Sequence, residues 1–190
     1  MPTPVDASPR WKPRLLAALD AADRRAQALA GSLTTAQLNW RADAASWSIG
    51  QCLDHLRVTN EVYVASMQRG LSGSPSGPVD EITPGWFGRY FLRTVIEPSA
   101  KSIRGKAPKK IVPATMVEGN IVDRFLASND ATRRFIDQAA AYDVNRVRFA
   151  NPFVPLIRFT VGTGLEIVTK HEDRHLLQAD RVRANPAFPR

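Results

Sequence analysis

The chain is poor in the residues that staple small proteins together and in those that do most metal chemistry. Its 190 residues include a single cysteine, Cys52, so no internal disulfide can form, and the reducing cytoplasm is the expected compartment. No run approaches the roughly 18 consecutive apolar residues of a membrane span, so no membrane partner is expected. Residues 1–14 carry Pro2, Pro4, Pro9 and Pro13 where a signal peptide would need an apolar stretch. Acidic residues are the minority, 18 against 26 basic, which leaves a net charge of +8.

What is present reads as an ordinary globular chain. Hydrophobic residues make up 44% and charged residues 23%, enough apolar content for a real core. One domain over residues 1–190 is expected, with 1–11 as a flexible tail. The positive charge is mostly arginine, scattered from Arg10 to Arg190 with local pairs such as Arg24–Arg25 and Arg133–Arg134. No helix-turn-helix, zinc-knuckle or aromatic-basic signature accompanies it. Solvated helix faces are therefore the expected reading, and nucleic acid is not an expected partner.

Apolar periodicity points to four long helices and no sheet. The first is predicted over 13–30, with Leu15, Leu19, Ala22, Ala26 and Leu29 as its stripe and Gly31 as its stop. A short helical piece around Thr34 to Asn39 follows. Ser48 and Gln51 form a capping-box pattern that opens the second long helix, whose stripe is Ile49, Cys52, Leu56, Thr59, Tyr63 and Met67. Residues 71–88 read as a loop, and 86–102 as a short helix disturbed by Pro98. Residues 101–110, KSIRGKAPKK, read as a basic loop, either simply solvated or steering an anionic cosubstrate. The third long helix is predicted over 120–142, with Phe125, Thr132, Phe135, Ile136 and Ala139 inward, and 143–159 as a connection. The fourth begins near Thr160 or Thr163, where Thr163 and Glu166 offer a second capping box. Its stripe is Leu165, Val168, His171, His175, Gln178 and Val182. Four such segments point to an all-α four-helix bundle with long crossover loops.

The three histidines are the whole complement of the chain. His55 lies on the inward side of the second long helix, and His171 and His175, four apart, share one face of the last. One histidine on an apolar stripe is ordinarily a hydrogen-bonded core residue. Three on two helices, with none elsewhere, point to a shared divalent cation, zinc or nickel first by their preference for imidazole. A three-nitrogen set leaves a position open, where bound water can reach a pKa near ~7 or a thiol can be ionised.

HEDRH, residues 171–175, also fits the HExxH string of zinc proteases, with Glu172 as the base. Only 15 residues follow His175, and they contain neither Glu nor His as a downstream third ligand. That reading is set aside, and Glu172 is expected at the site edge, facing solvent or paired with arginine. Cys52, one turn before His55, is expected in the core. Gln178 has two readings: a bond to a histidine's second nitrogen, or plain helix packing.

Two stretches carry a family resemblance. LNWRADAASWSIGQCLDHL, residues 38–56, resembles the opening motif of the DinB-like superfamily, and HEDRHLLQADRV, residues 171–182, resembles its closing H-x-x-x-H-x-x-Q helix. The resemblance implies a bundle of DinB/YfiT type, frequently a homodimer, with a divalent metal held by His55, His171 and His175. It also implies a small-molecule substrate. Members include S-transferases that use a low-molecular-weight thiol (bacillithiol, mycothiol or glutathione) and many of unknown activity. The expected function is a metal-dependent transferase or hydrolase, and the alternative is a non-enzymatic metal-binding or stress-response interaction protein. No catalytic side chain beyond the ligands is assigned.

Overall fold

The apolar stripes fold as long helices, seen in a computed structural model that describes residues 8–74, 77–97, 108 and 111–190. In chain order these are α1 (Trp11–Ala30), the short α2 (Thr35–Asn39), α3 (Ile49–Leu71), the short α4 (Trp86–Phe91), α5 (Ile121–Ala139) and α6 (Val161–Arg183). α3 packs on α5 and α6, and α1 packs on the same two helices, so each long helix has two long neighbours. No helix among the described residues is long and apolar enough to cross a membrane.

Local chemistry sets the starts of α2 and α3. Thr34 and Ser48 each accept the backbone N–H three residues on, and Gln37 and Gln51 reach back to the cap, two complete capping boxes. At α6 the cap is Thr160, whose hydroxyl accepts from the Thr163 N–H. The alternative box at Thr163 is thereby corrected: Thr163 and Glu166 are already inside the helix and buried. Residues 161–169 are buried all round, because α1, α3, α4 and the short β-hairpin that precedes α6 enclose them.

Several expected boundaries shift. α1 begins at Trp11, which is fully buried, and Arg10 pairs with Asp80, so residues 9–11 are anchored rather than loose. Residues 1–7 lie outside the described residues. Ala30, not Leu29, completes the buried stripe of α1. α4 ends at Phe91 and continues as one π-helical turn, Leu92–Ile96, before Pro98; the remainder of the predicted 86–102 helix and most of the 101–110 basic loop lie outside the described residues.

The expectation of no sheet is also corrected. β1 (Arg148–Ala150) and β2 (Arg158–Thr160) pair antiparallel, with Phe149 opposite Phe159. Both phenylalanines are buried, while Arg148 and Arg158 are exposed. A three-residue strand carries one alternation only, too little for a period-two signal to register.

Gly164 sets the approach of α6 to its neighbours. A Cβ there would meet Met67 Sδ at 2.5 Å and the Phe149 ring at 2.7 Å. Alanine ordinarily gains about 1 kcal/mol over glycine inside a helix, but here it overpacks the core at a cost of about 1–3 kcal/mol. Gly164→Ala is expected to lower stability in chemical denaturation despite its better helix propensity.

Candidate metal centre

Helix spacing brings the predicted histidines together. His171 and His175 stand one turn apart on α6, and α3 runs antiparallel beside it with His55 opposite. One ligand atom from each of the three lies within 4.8 Å of the others. His55 Nε2 and His171 Nε2 are 3.3 Å apart. Two nitrogens at about 2.0–2.1 Å from a tetrahedral cation stand about 3.3–3.4 Å from each other, so this spacing suits one shared ion.

Hydrogen bonds aim two of the rings. His55 Nδ1 lies 2.6 Å from the Ile111 carbonyl oxygen, and His175 Nδ1 lies 2.9 Å from Gln178 Oε1. Both acceptors require the proton on Nδ1, which leaves each Nε2 with a bare lone pair. His171 Nδ1 is buried with no hydrogen-bond partner among the described residues. Gln178 thus takes the histidine-bonding role rather than only packing.

Burial and mutual proximity keep the rings uncharged. His55 is lowered below its ordinary pKa chiefly by burial, against the raising effect of the Ile111 bond. His171 is pushed well below the usual range by burial, His175, His55 and Arg174. His175 falls to about 3, again chiefly by burial and then by His55. Neutral imidazole is the form that binds a cation. The residues present therefore fit a divalent metal, and the triad could hold one.

A strap and a lid complete the surroundings. Asp54, beside His55 on α3, is buried; desolvation pushes its carboxyl up, but the Ala114 N–H and Arg57 hold it below the usual range. Gln51 Nε2 donates to the Ala114 and Thr115 carbonyls. Together these bonds fasten residues 111–115 along α3, where Ile111 reaches His55. The Trp47 ring lies 4.7 Å from the His55 ring and stacks at 5.6 Å on His175. The sequence alone assigns neither Trp47 nor Asp54 a part in the site. The strap has no local signature, because Asp54 and Ala114 meet across 60 positions.

Over this arrangement, the model of the DinB superfamily matches residues 18–179. The chain belongs to the DinB superfamily. No curated protein matches it. The matched span of this DinB-superfamily chain contains all three histidines, Trp47, Asp54 and Gln178.

Glu172 is not where the sequence placed it. It is 1% exposed, with Oε1 accepting from Asn60 Nδ2 at 2.7 Å and Oε2 from Asn129 Nδ2 at 3.4 Å. Asn129 Nδ2 also donates to Asp23 Oδ1 at 2.7 Å, and Asp23 pairs with Arg133. The carboxyl therefore belongs to a polar belt among α1, α3, α5 and α6, neither solvated nor paired with arginine. Cys52 sits fully buried in the apolar cluster with Leu53 and Leu56 and takes no part in the triad.

Two outcomes follow from this burial. Burial pushes the Cys52 thiol up to about 12, so iodoacetamide at neutral pH is expected to label the unfolded chain and spare the native one. Burial likewise raises Glu172 to about 8, against the lowering effect of Asn60. The folded chain then holds a proton that the unfolded chain releases near its ordinary value of about 4.3. Stability from this group is fully present below that value and is lost as pH rises toward 8. Denaturation midpoints of Glu172→Gln are expected to fall less than those of the native chain between pH 5 and 8; equal slopes would contradict the assignment.

Proposed function

We propose that this chain is a metal-dependent DinB-superfamily transferase that binds a divalent cation, zinc or nickel, through His55, His171 and His175 and joins a low-molecular-weight thiol to an electrophile. The observation that carries the reading is the convergence of three neutral imidazoles with no carboxylate in the cluster among the described residues. Three neutral nitrogens leave a bound cation its full positive charge, which favours an anionic fourth ligand such as a thiolate. They also provide no general base beside it, and Glu172, the one such candidate in the sequence, is engaged with Asn60 and Asn129. For that reason S-transfer is preferred over hydrolysis.

Each surrounding residue has a part in this reading. A bound divalent cation supplies Lewis acidity that ionises the thiol. Ile111 and Gln178 hold the protons on Nδ1 of His55 and His175, so that both rings present Nε2. Trp47 covers the histidine pair it contacts and keeps water from that side. In the transfer, the sulfur forms a bond to the electrophilic carbon, the leaving group departs with the bonding electrons, and the thiol proton passes to solvent.

The finer fold and setting belong to the same proposal: one domain of DinB/YfiT bundle type, cytoplasmic and homodimeric. The buried free Cys52 suits a reducing compartment. Exposed Trp86, Tyr90 and Leu156 supply apolar surface for a second copy.

The test is metal content of protein prepared without a histidine tag, read beside thiol conjugation to monochlorobimane. One metal ion per chain is expected, with metal-dependent conjugation. His175→Ala is expected to weaken metal binding at least about a hundredfold, more than loss of a supporting bond would. Folded protein that takes up neither zinc nor nickel would overturn the reading. Metal-loaded protein that hydrolyses esters but conjugates no thiol would favour the hydrolase, and loaded protein with neither activity the binding protein.

A further inference from the structure

Arg174 stands between His171 and His175 on α6, directly before His175. Its Nη1 donates to the Val95 carbonyl oxygen at 2.5 Å, in the π-helical turn that follows α4. The remaining guanidinium donors, Nε and Nη2, have no partner among the described residues. No carboxylate pairs with the Arg174 guanidinium among the described residues.

The nearby carboxylates are committed elsewhere. Glu97 pairs with Lys170, Asp173 with Arg25, and Asp54 with Arg57. Asp6 is the only one of the 18 acidic residues outside the described ones, and residues 98–110 contain no Asp or Glu. A cation held beside three metal-binding imidazoles would repel a bound divalent ion. Such an arrangement is costly unless an anion joins both charges.

We propose that Arg174 is the anchor for a carboxylate on the small molecule that occupies the histidine centre. The Val95 carbonyl fixes one edge of the guanidinium, and the edge carrying Nε and Nη2 remains to grip a carboxylate in the paired geometry that arginine favours. The ligand class is therefore an anionic thiol, with its sulfur toward the histidines and its carboxylate on Arg174. This deepens the transferase reading, on which it rests for the sulfur but not for the carboxylate.

Calorimetric titration of mercaptoacetate against mercaptoethanol tests it, in metal-loaded and metal-free protein, with metal content measured separately. The native chain is expected to bind mercaptoacetate about tenfold or more tightly than the neutral thiol, a preference that weakens as salt rises. Arg174→Gln should lose the preference while keeping its metal content and its affinity for mercaptoethanol. Arg174→Lys, which keeps the charge without the fork, should retain part of it. Equal binding of the two thiols by the native chain, or a preference that survives in Arg174→Gln, would overturn the inference. If no metal loads, Arg174-dependent binding of mercaptoacetate to the metal-free protein upholds the anchor while the metal reading fails. No binding in either form defeats both. Should Arg174→Gln fail to fold, the native comparison and the lysine variant decide.

Discussion

The antiparallel contact of α3 with α6 is the constraint on which the site depends. At one end Gly164 lets the helices close until Met67 and Phe149 fill the space a side chain would take. At the other end the same spacing brings His55 within reach of His171 and His175. A helix pair is stiff, so the separation fixed by small-on-large packing at one end is transmitted along about two turns to the imidazoles. Core packing alone places the three imidazoles.

Between the two apolar clusters of the core runs the belt of Glu172, Asn60, Asn129 and Asp23. An all-apolar interior would permit the helices to slide by a turn at little cost, because one leucine stripe resembles another. Directional bonds among side chains on four helices penalise such slips. The belt lies one residue from His171, so it also holds α6 in the rotation that turns its histidines toward α3.

Much of this was legible from residue order alone. Stripes at three and four residues gave the long helices, and the Ser48–Gln51 pattern marked the start of α3 at its true position, because a capping box is a local interaction. The histidines were legible for the same reason: spacing of four on one predicted face, with a third on another inward stripe. The β-hairpin was not, since its signal is two separated phenylalanines flanked by arginines. Glu172 was misplaced by helical angle alone; about a hundred degrees from a buried face leads to solvent on a peripheral helix, but α6 is enclosed on most sides. The acceptors of the histidine Nδ1 protons divided in the same way. Gln178, three residues from His175, was visible in the sequence, whereas Ile111 reaches His55 across 56 positions.

The strap from Ile111 to Ala114 has an architectural consequence. Its bonds to Gln51, Asp54 and His55 re-establish the position of the chain immediately after the basic stretch. The length and composition of what precedes Ile111 are thereby uncoupled from the orientation of the His55 ring. A connector entering the strap can be lengthened, shortened or recharged without disturbing the His55 ring, as a cable can be exchanged upstream of a clamp. The fold in this way separates the part that aims the imidazole from a part whose length and charge are free to vary.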